Sequence, residues 1–227
     1  MLQGESGGLT QEAMKYLVKL GDAFDAKRMI DIEYSYCYIA TNYWGTGTLT
    51  KELLLDAVKE EVKVKVPTMN WNHGFEGDPK VQRLLEIPEK VLNQLKEEAT
   101  ICKKLGVIPI NTCAPYLASD IHKHPFRAHI TSIESSAVTY FNSVLGARTN
   151  RDGIAAFFAA ITGKYPEFGL HLTANRLGKY LFKVKAKLEN LTDYSALGYY
   201  IGKISGLDVP VIEGITRVKT EDLKALS

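Results

Sequence analysis

Apolar positions along this chain switch repeatedly between helical spacing and two-residue alternation. Over residues 9–24, Ala13, Leu17, Leu20 and Phe24 fall on one face of a helix, with Thr10 as a weak N-cap and Gly21 as a candidate for its end. Residues 28–32 read as a strand, and 50–60 (TKELLLDAVKE) as an amphipathic helix capped by Thr50. Over 62–66 Val alternates with Lys, as in a half-buried strand that Pro67 ends. Residues 88–105 form a long helix with Pro88 in its first turn and Gly106 just past its end. A short strand follows at 107–111, and then two helices at 134–145 and 152–162 rich enough in Ala and Phe to be buried. The alternation over 180–188 (YLFKVKAKL) predicts an exposed-edge strand, followed by a helix at 196–205, a strand at 209–212 and a last helix at 220–226. Residues 70–77 (NWNHGFEG) are the most loop-like stretch. Strand–helix–strand units in this order favour a parallel or mixed sheet covered by helices.

Composition narrows the class without naming the chemistry. The chain's 227 residues, 45% of them hydrophobic, suffice for one good-sized core or two modest ones. Charged residues are 24%, with 28 Lys+Arg against 26 Asp+Glu, so nothing marks a nucleic-acid or anionic-membrane partner. The N-terminus has no basic segment leading into an apolar one, and the longest apolar patch, 154–161, is too short to span a bilayer. A cytoplasmic, membrane-free protein is the expectation. Cys37, Cys102 and Cys113 are odd in number and widely spaced, which is no disulfide framework.

Candidate chemistry concentrates between residues 112 and 176. Cys113 follows a predicted strand, where open α/β sheets place ligand groups; its thiolate could bind iron, or it could be an inert buried thiol. Glu134, Ser135 and Ser136 open a predicted helix, where they could cap it or help its N–H groups hold an anion. Arg148, Asn150 and Arg151 share the loop GARTNRDG, whose guanidinium groups match carboxylate or phosphate, or form surface salt bridges. His129 and His171 could move protons or merely orient neighbours. Thr68 and Asn70 follow the 62–66 strand and so are expected at its end.

These segments carry a resemblance. TCAPYL at 112–117, ESSAV at 134–138, NSVLGARTNRDG at 142–153 and GLHLTANR at 169–176 resemble the signature of aconitase X large subunits. VPTMN at 66–70 and the opening MLQGESGGLTQEAMK are similar to further segments of that family, so the resemblance covers most of 1–176. It implies an aconitase-like α/β fold, incomplete here, with one domain over 1–176 and the start of a following α/β segment over 177–227. It also implies a hydro-lyase removing water from a small hydroxy acid such as mevalonate 5-phosphate. An iron–sulfur cluster would act as Lewis acid. A small swivel-domain subunit and the C-terminal half of the large subunit would complete the site, and the ligand would be a small anionic substrate.

On that reading His129, Glu134 and Ser135 are the catalytic candidates. Thr68, Asn70, Ser136, Arg148, Asn150 and Arg176 are substrate-binding, and Cys113 is the metal ligand, facing a cavity lined by Glu134, Ser135 and Arg148. Two departures stand against it. Ser35-Tyr36-Cys37 replaces an Ala-His pair of the family, and only Cys113 matches a cluster ligand. The competing reading is a non-catalytic remnant that binds a small acid or a partner.

Overall fold

The structure, a computed structural model, describes residues 1, 7–39, 47–71, 78–110, 112–118, 126–216 and 218–227. The chain begins with helix α1 (Gly8–Ala23), strands β1 (Met29–Asp31) and β2 (Tyr34–Cys37), helix α2 (Gly47–Lys59) and strand β3 (Thr68–Asn70). Helices α3 (Pro79–Leu84) and α4 (Glu89–Leu105), strand β4 (Ile108–Pro109), the short helix α5 (Pro115–Ala118) and strand β5 (Ile130–Ser132) follow. Then come helices α6 (Ser135–Ser143) and α7 (Ala155–Thr162), strand β6 (Lys164–Pro166) and two 3-10 turns at Gly169–His171 and Thr173–Arg176. The last part holds β7 (Tyr180–Lys183), α8 (Leu191–Ser205), β8 (Pro210–Glu213) and α9 (Thr220–Leu226).

The centre is a parallel sheet in the order β4-β3-β2-β5. Its middle strand β2 is buried along its whole length, as parallel strands covered on both faces must be. Tyr34 and Tyr36 point into a core shared with Tyr116 of α5 and Tyr140 and Phe141 of α6. Cys37 points the other way, into a core built from α1, α2, α4 and α7. Every residue of α7 is buried. Its alanines leave room for close approach to the sheet, and the polar side chains that meet it are satisfied there. The Ser35 hydroxyl donates to the Ala156 carbonyl at 2.9 Å, and Thr131 Oγ1 donates to Ser35 Oγ at 2.8 Å.

Several expected elements shift. Helix α1 is capped by the Gly7 backbone rather than at Thr10, and Gly21 lies inside it, where an added Cβ would meet Pro166 at 2.9 Å. Thr50 lies within α2 rather than at its cap. Val62, Val64 and Val66 do lean on the core, but residues 62–66 are not a strand: the Val64 N–H donates to the Leu105 carbonyl and that of Lys65 to the Ala160 carbonyl. The strand is β3, so Thr68 and Asn70 sit within it rather than beyond an earlier strand's end. Gly106 ends α4 in the left-handed conformation, φ 83°, as expected of a residue just past a helix. Residues 72–77 of the loop-like stretch, residue 111 of the 107–111 strand and residues 2–6 of the opening motif lie outside the described residues.

Beyond residue 176, β7 and β8 pair in parallel and α8 packs on α9. Helix α8 begins at a capping box, the Asn190 side chain accepting from the Thr192 and Asp193 N–H groups. Among the described residues no helix is long and apolar enough to cross a membrane.

Candidate functional site

Strand order fixes where a ligand can sit. From β2 the chain builds outward through β3 to β4, then returns to add β5 on the other side of β2. The carboxyl ends of β2 and β5 are therefore adjacent ends from which the chain departs in opposite directions, the crevice open α/β sheets use for ligands. A cavity of about 640 Å³ lies there. Tyr38 and Ile39 just after β2 line it, with Ile133, Glu134 and Ser135 just after β5. Leu53, Leu54, Phe157 and Ile154 give it an apolar wall, and Trp71, Arg151 and Gly153 complete it among the described residues. This is the volume and mixed lining of a small-molecule site.

Glu134 is the N-cap of α6. Its carboxylate accepts from the Ala137 N–H at 2.7 Å and from the Ser136 hydroxyl at 2.8 Å. Burial pushes its pKa up, but those hydrogen bonds and the Lys224 ammonium outweigh it, leaving the group below the ordinary carboxylate value. Capping and a functional role are thus compatible: the group is held in place and ionised at neutral pH. Ser135 is exposed at the same helix start and lines the cavity.

Cys113 lies in the half-buried loop between β4 and α5. The loop is pinned by Tyr36, whose hydroxyl donates to the Thr112 carbonyl at 2.9 Å, and by the Ala114 N–H donating to Thr112 Oγ1 at 3.1 Å. Burial and then the nearby Glu134 carboxylate raise the Cys113 pKa, while Lys224 lowers it. Lys224 reaches this group from α9, its ammonium contacting Ser136 Oγ. Tyr36, Lys224, Tyr38 and Trp71 were not singled out as site residues. Their positions depend on β2 and on the docking of α9 against α6, and neither leaves a local sequence signal.

The remaining candidates are placed elsewhere or already occupied. Thr68 Oγ1 donates to the Val66 carbonyl at 2.8 Å. Asn70, fully buried, clamps the end of β2 by accepting from the Ile39 N–H at 2.5 Å and donating to the Ile39 carbonyl at 3.2 Å. Asn150 accepts from the Leu170 N–H at 2.8 Å and donates to the Phe168 carbonyl at 3.3 Å. Arg176 grips Asn142, reaching Oδ1 at 2.5 Å and the carbonyl at 3.1 Å.

The expected cavity of Cys113, Glu134, Ser135 and Arg148 is not what the fold builds. Arg148 donates to the His171 carbonyl at 2.7 Å and to Thr173 Oγ1 at 3.0 Å, away from the cavity. His129 lies beside it, before β5, whereas Glu134 follows β5. Five residues of extended chain separate them, roughly 16 Å, too far to serve one reacting atom together. The His129 and His171 Nδ1 atoms are 2.9 Å apart, so one carries the hydrogen and the other accepts it. Burial, reinforced by His129 and Arg148, lowers the His171 pKa to about 3, so that ring stays neutral.

Comparison with known proteins follows this geometry. The aconitase X first domain matches residues 1–174, and the aconitase X second domain matches residues 178–227. The chain belongs to the aconitase X family. Its parallel sheet and covering helices are those of a solved relative, the holo-form of Thermococcus kodakaraensis aconitase X, with a TM-score of 0.79 and 37% identity over 99% of this chain and 55% of that one. The phosphomevalonate dehydratase large subunit of Thermococcus kodakarensis is 40% identical over all of this chain and 55% of its own length. The cis-3-hydroxy-L-proline dehydratase of Hypocrea jecorina is 32% identical over 99% of this chain and 37% of its own. The aconitase X chain here thus spans about half the length of the phosphomevalonate dehydratase relatives it matches.

An iron–sulfur cluster needs three or four protein ligands, and the described residues do not supply them. No group of three or more His, Cys, Asp and Glu side chains there could hold a metal. Cys37 and Cys102 are buried in the core formed with α1, α2, α4 and α7, and Cys37 is raised well above the ordinary thiol pKa by burial. Cys113 alone offers a half-exposed thiol.

Proposed function

We propose that this chain is part of a hydro-lyase acting on a small hydroxy acid, mevalonate 5-phosphate being the first substrate to test. The observation that carries the reading is the cavity at the switch between β2 and β5, where Glu134 and Ser135 line one wall of a largely apolar space. Eliminating water breaks a C–H and a C–O bond and forms a C=C bond, the departing hydroxyl leaving as water. Glu134, ionised and fixed by its cap bonds, takes the proton from carbon; its lowered pKa makes it a weak base that needs close contact with an acidified C–H. Ser135 orients the hydroxyl-bearing end of the substrate. Hydrophobic wall residues exclude water and hold the hydrocarbon body.

Cys113, in its pinned loop, is the ligand this chain would contribute to an iron–sulfur cluster. The other ligands would come from the C-terminal half of the large subunit, and a small swivel-domain subunit would close the site. The relatives' description as large subunits supports a partner chain. Cytoplasmic location accords with the absence of a membrane-crossing helix among the described residues. The test is reconstitution with those two partners and measurement of water loss from mevalonate 5-phosphate by NMR. Turnover that Glu134→Gln abolishes supports the reading. A folded complex that binds small acids without turnover would instead favour a non-catalytic aconitase X remnant, the reading that Tyr36 in place of the family's histidine suggests.

A further inference from the structure

We propose that Arg151, rather than Arg148, is the residue that holds the acidic group of the ligand in this cavity, an inference that rests on the hydro-lyase reading and extends it. Strand register separates the two arginines. Residues 148–151 run parallel to β5 as an extended edge segment, Arg148 bridging His129 and Arg151 bridging Ser132. The Ile130 N–H donates to the Arg148 carbonyl at 3.0 Å and the Asp152 N–H to the Ser132 carbonyl at 2.8 Å, which fixes this pairing. Three residues of extended chain carry Arg151 roughly 10 Å beyond Arg148, and side chains an odd number apart leave opposite faces of the strand. Arg148 is thereby delivered to the amino end of β5 and Arg151 to the carboxyl end, where the cavity lies.

The hydrogen bonds of the two arginines agree with this placement. Both terminal nitrogens of Arg148 are engaged by the segment after residue 168, binding the His171 carbonyl and Thr173 hydroxyl, while its Nε is buried. Arg151 is exposed and, among the described residues, its guanidinium makes a single hydrogen bond, Nε to the Ile133 carbonyl at 3.3 Å. It forms no ion pair with a described carboxylate, and Glu134, which lines the same cavity, is engaged by Ala137 and Ser136 instead. Arg151 lines the cavity together with Glu134, Ser135 and apolar side chains, and its two terminal guanidinium nitrogens have no hydrogen bond to a described residue. That is the fork that binds an oxyanion bidentately, carboxylate or phosphate. A cation and an ionised carboxylate that share a pocket without pairing suit one ligand class, a small acid with a removable proton beside its acidic group.

The deciding experiment labels arginines of the 227-residue chain with phenylglyoxal and follows each site by mass spectrometry. The probes are inorganic phosphate and mevalonate, used separately. Occupancy at ten times the dissociation constant slows labelling of Arg151 about tenfold by mass action, with Arg148 unaffected. Protection by mevalonate alone assigns a carboxylate, protection by phosphate alone assigns a phosphate, and either supports the proposal. Unchanged labelling of Arg151 with both probes overturns it. In the reconstituted complex Arg151→Lys is expected to raise KM for mevalonate 5-phosphate about tenfold or more while the melting temperature holds, because a charge-assisted bond lost is worth about 1.5–3 kcal/mol. Arg148→Lys is expected to lower the melting temperature and leave KM alone. Protection of Arg151 in a complex that never releases water would leave the anion site standing and remove the hydro-lyase reading.

Discussion

Asp152 is a carboxyl sealed inside the fold, next in sequence to the arginine at the cavity. It accepts from the Ser132 N–H at 2.9 Å, from Thr149 Oγ1 at 3.3 Å and from the Tyr165 hydroxyl. Burial nevertheless dominates and raises its pKa from 3.8 to about 7. The folded state therefore holds a proton that the unfolded state has released throughout the interval between those values. Unfolding releases it, so the group's stabilising contribution is complete below pH 4 and declines as pH rises towards 7, by at most about 1.4 kcal/mol per pH unit. Asp152→Asn cannot titrate. Its melting temperature relative to the wild type is expected to climb as pH is raised from 4 to 7, followed by circular dichroism at each pH. A mutant that holds level with the wild type or falls further below it as pH rises would mean that the donors keep Asp152 ionised.

At the scale of elements, the contact between α7 and β2 decides how closely the sheet is covered. Ala155, Ala156, Ala159 and Ala160 are all buried to within 1% of complete exclusion from solvent, and Ser35 donates into this helix at Ala156. Ala156→Leu inserts methylene groups where the helix backbone lies against the strand. Overpacking of this kind costs roughly 1–3 kcal/mol, so its urea midpoint should fall clearly; an unchanged midpoint would mean that α7 has room to move away. The same contact explains what the sequence hid. Residues 34–37 read Tyr-Ser-Tyr-Cys, with neither the branched apolar run of a buried parallel strand nor clean alternation, because one face meets tyrosines and the other meets an alanine helix that accepts a hydroxyl. Val62–Lys65 misled in the opposite direction, since alternation reports which side chains are buried and not whether a neighbouring strand is present. Long helices with clear faces, α1, α2 and α4, were legible to within a few residues. That Cys113 and Glu134 follow strands was legible locally, but the different placement of Arg148 and Arg151 needed the pairing with β5. That pairing is long-range and leaves no mark on the local pattern.

For the molecule as a whole, two expectations concern what these 227 residues do by themselves. With Cys113 its one half-exposed thiol, the isolated chain should hold no stoichiometric iron–sulfur cluster after anaerobic reconstitution; iron and sulfide in cluster ratio, with matching visible absorption, would contradict this. The second expectation comes from the part beyond residue 176. Strands β7 and β8 make a two-stranded parallel sheet, an arrangement found almost only where both faces are covered. Here Leu181 and Val211 on those strands are 57% and 47% exposed, and Tyr199, Tyr200 and Leu207 in and after α8 are 75%, 58% and 105% exposed. Apolar side chains of this size left in water favour association, since burying them stabilises by about 25 cal/mol for each Å². The chain is therefore expected to self-associate through this unit at micromolar concentration, giving a light-scattering mass well above 25.3 kDa. Tyr199→Lys combined with Leu207→Lys should return the mass to the monomer without lowering the melting temperature of the first 176 residues, since both side chains lie on the outer surface. If the unsubstituted chain is a monodisperse monomer at high concentration, the exposed face is adequately solvated and the association argument fails.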